Sequence, residues 1–179
     1  MSKSIGNKTF SLQYSFFDGT RETELSMIID EENILAYQRN GNSFTTRWNL
    51  DELAFWLREF LDNMQEDPYP VDTAGEFAAM KDISAREFDS DNEAEFDEYY
   101  DRLDEWNLHH RWHTASSGAI LADLYFQLVE DYVEISWNNE DSEEDVTFNK
   151  IIGGKKIPKE LFTKVINEFL QDYAKQWFN

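Results

Sequence analysis

Strand-like periodicity comes in two blocks, and that arrangement constrains the fold more than any other feature of this chain. Phe10, Leu12, Tyr14 and Phe16 alternate with polar neighbours, and Leu25, Met27 and Ile29 repeat the pattern. Period two marks a strand with one buried face. Asp18-Gly19 and Asn40-Gly41 are turn signals, the second lying between 34–39 and 43–48, since glycine accepts the positive φ of a tight hairpin. The first fifty residues thus read as a four-stranded antiparallel meander. The second block comprises 120–129, a turn at Glu130-Asp131, 132–137 and 146–152. Strands joined by hairpins, not interleaved with helices, imply antiparallel sheets and an α+β fold.

Between and after these blocks the period changes to that of a helix. Asn49 caps a helix with Glu52 three residues on, a variant of the capping box. Leu50, Leu53, Trp56, Leu57, Phe60, Leu61 and Met64 form its apolar stripe. Asp67-Pro68-Tyr69-Pro70 ends it, because proline restricts the preceding residue and cannot continue a helix. A short helix is expected at 74–80. A long one is expected over 90–113, with Ser90 and Glu93 as a second capping box and Phe96, Tyr99, Tyr100, Leu103, Trp106 and His110 on one arc. Ser116-Ser117-Gly118 breaks that pattern. Gly153-Gly154 reads as a turn, and Pro158 opens a final helix with a stripe from Leu161 to Trp177. The element order is ββββ-α-(α)-α-βββ-α. One domain over 1–179 is expected, with a division into two sub-lobes, 1–66 and 90–179, as the alternative.

The chain carries 37 Asp and Glu against 16 Lys and Arg, a net charge of −21. Such a charge disfavours nucleic acid and anionic membranes and attracts basic proteins. Cysteine is absent, which removes disulfides and thiolate chemistry. With no apolar run long enough to span a bilayer and no apolar run at the start, a cytoplasmic location is the expectation.

No G-x-S-x-G, G-x-G-x-x-G or H-E-x-x-H is present. Gly153-Gly154-Lys155-Lys156 lacks the Ser or Thr of a phosphate loop, and Asp89-Ser90-Asp91 begins like a calcium loop but has Ala94 where glycine is required. Two constellations remain. Glu105, His109 and His113, four residues apart on the expected helix, form a stripe suited to zinc. The second is acidic: residues 87–105 hold ten acids and one base, Arg102. If helical, they span about 28 Å, with a carboxylate spacing close to that of phosphates along one DNA strand.

These features lead to an expectation of a non-enzymatic interaction protein with no cofactor. It would present Glu95, Glu98, Asp101 and Glu105 to a basic partner such as a nuclease, toxin or nucleic-acid-binding protein, with Trp112 and Tyr69 as aromatic anchors. Immunity proteins, nucleic-acid-mimicking inhibitors and regulatory subunits of defence systems share this description. The alternatives are a metal-dependent enzyme built on Glu105, His109 and His113, and a structural homo-oligomer.

Overall fold

The computed structural model describes residues 2–17, 21–112 and 118–177. The Asp18-Gly19 turn and the Ser116-Ser117 break lie outside the described residues. The protein is α+β with antiparallel sheets, as the blocks of alternation require. Its N-terminal half holds β1 (Ser2–Gly6), β2 (Phe10–Phe16), β3 (Glu22–Ile29), β4 (Glu32–Asn33), β5 (Ala36–Arg39) and β6 (Asn42–Asn49). Helices α1 (Leu50–Asp62), α2 (Ala78–Ala85) and α3 (Glu93–His110) follow, then β7 (Leu124–Val129), β8 (Tyr132–Asn138), β9 (Val146–Phe148), β10 (Ile152–Pro158) and α4 (Lys159–Trp177).

The large sheet runs β1-β2-β3-β6-β5-β9, with β4 paired to β3. It is not the simple meander expected: β6, not β5, lies beside β3, and β1 adds an edge strand next to β2. Two further departures stand out. First, β3 turns tightly into the two-residue β4 through Asp30 (φ 49°) and Glu31 (φ 69°). That left-handed pair is the geometry of a type I′ turn, but no glycine advertises it. The expected turn at Asn40 (φ 51°) and Gly41 (φ 76°) does join β5 to β6. Second, β9 pairs with β5, Tyr37 opposite Phe148, so a strand from the C-terminal half completes the N-terminal sheet.

The small sheet, β10-β8-β7, is covered on both faces, which explains the nearly continuous burial of β7 and β8. On one face Phe126, Leu128, Val133, Ile135 and Trp137 join Phe10, Leu12, Leu25, Met27 and Trp48 of the large sheet, with α1 and α4, in the main core. Phe10 stacks on Phe162, and the Tyr14 ring meets Phe169 edge-on. That core draws on residues from both of the sub-lobes expected from the sequence. On the other face Tyr125 meets Leu103, Trp106, Ala78 and Ala79 in a second cluster beneath α2 and α3.

Asn49 caps α1 as expected, accepting from the Asp51 and Glu52 amides, while the Glu52 carboxylate accepts from the Trp48 indole. Helix α2 starts later than expected because its cap is tertiary. The Ala78 amide donates to the Glu134 carboxylate (2.7 Å) and the Ala79 amide to the Ser136 hydroxyl (3.1 Å), both from β8. Burial raises the Glu134 carboxyl above its ordinary value, partly opposed by that amide. Among the described residues no helix is long and apolar enough to cross a membrane.

Gly153 and Gly154 form no turn. They sit inside β10 opposite Trp137 and Ser136, and they are small because rings lie against them. A Cβ on Gly153 would fall 2.9 Å from the Trp137 ring, and one on Gly154 2.4 Å from the Phe77 ring. Gly154→Ala is therefore expected to cost about 1–3 kcal/mol by overpacking, read as a lower urea midpoint with an unchanged slope.

Candidate functional site

Helix α3 is built to show one face to solvent and fix the other. Leu103, Trp106, Asn107 and His110 are buried. The Trp106 indole donates to the Asp67 carbonyl, and the Tyr100 hydroxyl donates to the Arg86 and Phe88 carbonyls. His110 stacks on Trp106 with ring centroids 4.2 Å apart. Its Nδ1 lies 2.8 Å from the Phe126 carbonyl and its Nε2 3.0 Å from the Asp67 carboxylate. Both neighbours are oxygen acceptors, which fixes the ring against β7 and the Asp67 segment.

A buried carboxylate anchors this face. Asp82, 5% exposed, accepts from the hydroxyls of Tyr69 (3.1 Å) and Tyr125 (3.0 Å), the amide of Asn107 (3.2 Å) and the guanidinium of Arg86 (2.6 Å). Burial alone would raise its pKa. Donation from Arg86, Asn107 and Tyr125 outweighs burial and holds the carboxyl below its ordinary value. Burial, then the Asp82 charge and hydrogen bond, push the Tyr69 hydroxyl far up.

The outward face of α3 carries Glu93, Glu95, Asp97, Glu98, Asp101, Asp104 and Glu105, all exposed. Among the described residues none of these seven carboxylates has a Lys or Arg within ion-pair distance, and Glu95 accepts only from the Ser90 hydroxyl. Three lysines of the C-terminal part are engaged elsewhere. Lys150 pairs with Glu32, Lys155 with Asp30 and Lys164 with Glu168. The acidic 140–145 loop is drawn to Arg39, through Asp145 at 2.7 Å and Glu143 at 3.9 Å.

Several sequence expectations need correction here. The helix begins after Asn92, not at Ser90, whose hydroxyl instead accepts from the Asn92 amide. It ends at His110, because Arg111 turns extended (φ −106°, ψ 124°), bridges to Tyr125 of β7 and grips Asp123 with two guanidinium nitrogens. Trp112 therefore does not follow the helical wheel outward. It is 3% exposed, donates from its indole to the Ala122 carbonyl and meets Trp48 edge-on at 5.0 Å. Tyr69 is likewise buried, edge-on to Trp106. Neither is a surface anchor. Glu105 and His109 are exposed on α3, but the helix stops before His113, which lies outside the described residues. Among the described residues no group of three or more His, Cys, Asp or Glu is placed to hold a metal ion.

Other apolar residues hold the position expected of Trp112 and Tyr69. Phe55 (67% exposed) and Leu108 (62%) are the two most exposed large hydrophobic side chains among the described residues. Both line one cleft of about 630 Å³ between α1 and the end of α3, with Trp56, Phe60 and Met64. Among the described residues, the cleft's charged and titratable groups are Glu52, Glu59, Asp67, His109 and His110, with no Lys or Arg. On α3, Leu108 lies four, seven and eleven residues after Asp104, Asp101 and Asp97, so the acidic stripe leads into the cleft. The signal was in the sequence: Phe55 and Leu108 fall off the apolar stripes of their helices. Neither a family model, a curated protein nor a solved structure matches this chain.

Asp82→Asn is expected to cost about 3 kcal/mol at neutral pH, because Arg86 and two hydroxyls lose a charged acceptor. The folded carboxyl is the more acidic, so this difference should be complete above the ordinary carboxyl value of about 4. It should vanish as pH falls through the lower folded value. Urea midpoints of both proteins across acid pH measure it.

Proposed function

We propose that the protein is a non-enzymatic interaction protein that binds a basic partner on the outward face of α3 and thereby neutralises or regulates it. One observation carries this reading: seven carboxylates on one helix, exposed and without a cationic partner among the described residues, while Lys150, Lys155 and Lys164 pair with other acids. Holding like charges together in this way costs stability through self-repulsion. A cationic surface would relieve that repulsion and be steered to it over a distance set by ionic strength. Glu93 to Glu105 covers about 18 Å of helix axis at 1.5 Å per residue, and the row resembles a stretch of nucleic-acid backbone in charge spacing. A nuclease, a toxin or another nucleic-acid-binding protein would present the complementary groove, which places inhibitor and immunity roles within this reading.

The test is capture from the cells that encode the protein. Wild type should retain a basic protein at low salt and release it at high salt. Asp97→Lys with Asp101→Lys and Asp104→Lys should weaken that capture by about tenfold or more, with thermal stability kept. The captured protein's action on nucleic acid should fall as wild type is added. Capture that ignores both salt and charge reversal would overturn the reading.

A further inference from the structure

We infer that the cleft between α1 and the end of α3 seats one amphipathic, lysine- or arginine-bearing helix of the partner protein. This rests on the acidic-face reading above and names the part of the partner that the site recognises. Apolar residues on the two walls, Phe55 on α1 and Leu108 on α3, stand open to solvent. Large apolar side chains left exposed on both sides of one cleft mark a site that is covered in use. The floor is aromatic: Trp56 and Phe60 stack at 5.5 Å with planes 6° apart. A cleft of about 630 Å³ has the size of a ligand site. It takes side chains from one face of a helix, at positions i, i+3, i+4 and i+7.

Charge identifies the occupant. Among the described residues, Glu52, Glu59 and Asp67 stand in the lining, and no Lys or Arg does. The row Asp97, Asp101, Asp104 approaches the cleft along α3 and ends at Leu108. A helix with an apolar stripe and cationic flanks satisfies both parts at once, its stripe on the walls and its charges on the rim and the row. A second copy of this chain does not, since it would bring another net charge of −21 and the same rim of carboxylates against the first.

The probe is a fluorescent leucine–lysine peptide of about 18 residues, long enough to form a helix, with leucines at helical spacing. Two controls accompany it: the same composition reordered to strict alternation, and an oligolysine of equal charge. By fluorescence anisotropy the helical peptide should bind wild type about tenfold tighter than either control. Phe55→Ser with Leu108→Ser should remove that advantage, leave oligolysine binding within about twofold, and preserve circular dichroism and Tm. Independently of any variant, adding the helical peptide to wild type should shift the amide resonances of Asn63, Met64, Leu108 and His109. If the reordered peptide binds equally well, or the double variant changes nothing while reversal at Asp97, Asp101 and Asp104 still weakens every probe, the cleft assignment falls and the acidic-face reading survives. If reversal also changes nothing, both fall. A wild-type dimer in sedimentation that Leu108→Ser disperses would give the cleft to self-association and overturn the proposal.

Discussion

The carboxylate of Asp82 ties together four stretches that the sequence keeps apart. The proline-flanked Tyr69 segment, α2, Asn107 of α3 and Tyr125 of β7 all reach it. Asp82 is itself buried, so its charge is balanced chiefly by these donors, with Arg86 supplying the opposite charge. An unpaired charge at such a depth would cost several kcal/mol. The network therefore sets where α3 lies on the small sheet, and with it which side of α3 faces outward. The acidic row and the Leu108 lip are consequences of that placement.

Charge is partitioned over the surface, not averaged. Lys155 and Lys150 meet Asp30 and Glu32 beside the large sheet, and Arg39 meets the 140–145 loop. Exposed pairs of this kind contribute little stability each. They engage acids away from α3, while the seven on its outward face have no cationic partner among the described residues. Partition also explains why net charge alone was an incomplete guide: the same 37 acids spread evenly would have made a solubilising coat without a preferred direction.

Period and turn chemistry made much of the fold legible. Alternation in 10–16 and 25–29, the Asn40-Gly41 hairpin, the Asn49 cap and the stripes of α1 and α4 all rest on local physics. What failed was set by tertiary contacts. Helix α2 starts where Glu134 and Ser136 receive its first amides, a signal more than fifty residues away in the chain. The glycines of β10 looked like a turn because nothing local tells a bend from a strand that must pass under Trp137 and Phe77. Trp112 was misplaced because the helical wheel was extended beyond Arg111, which leaves the helix to join β7. The acidic row itself was legible, since solvent-facing charge follows helical period. Asp82 was not, being one acid among many whose distinction is its burial.

The pairing of β9 with β5 has a consequence for how the chain is assembled. Until residues 146–148 arrive, β5 has β6 on one side and unpaired backbone donors and acceptors on the other. A free edge of that kind templates mispairing between molecules. The short β9 segment therefore acts as a late cover, and a ribosome-bound chain halted before it would expose the β5 border that the finished protein replaces with a three-residue edge strand.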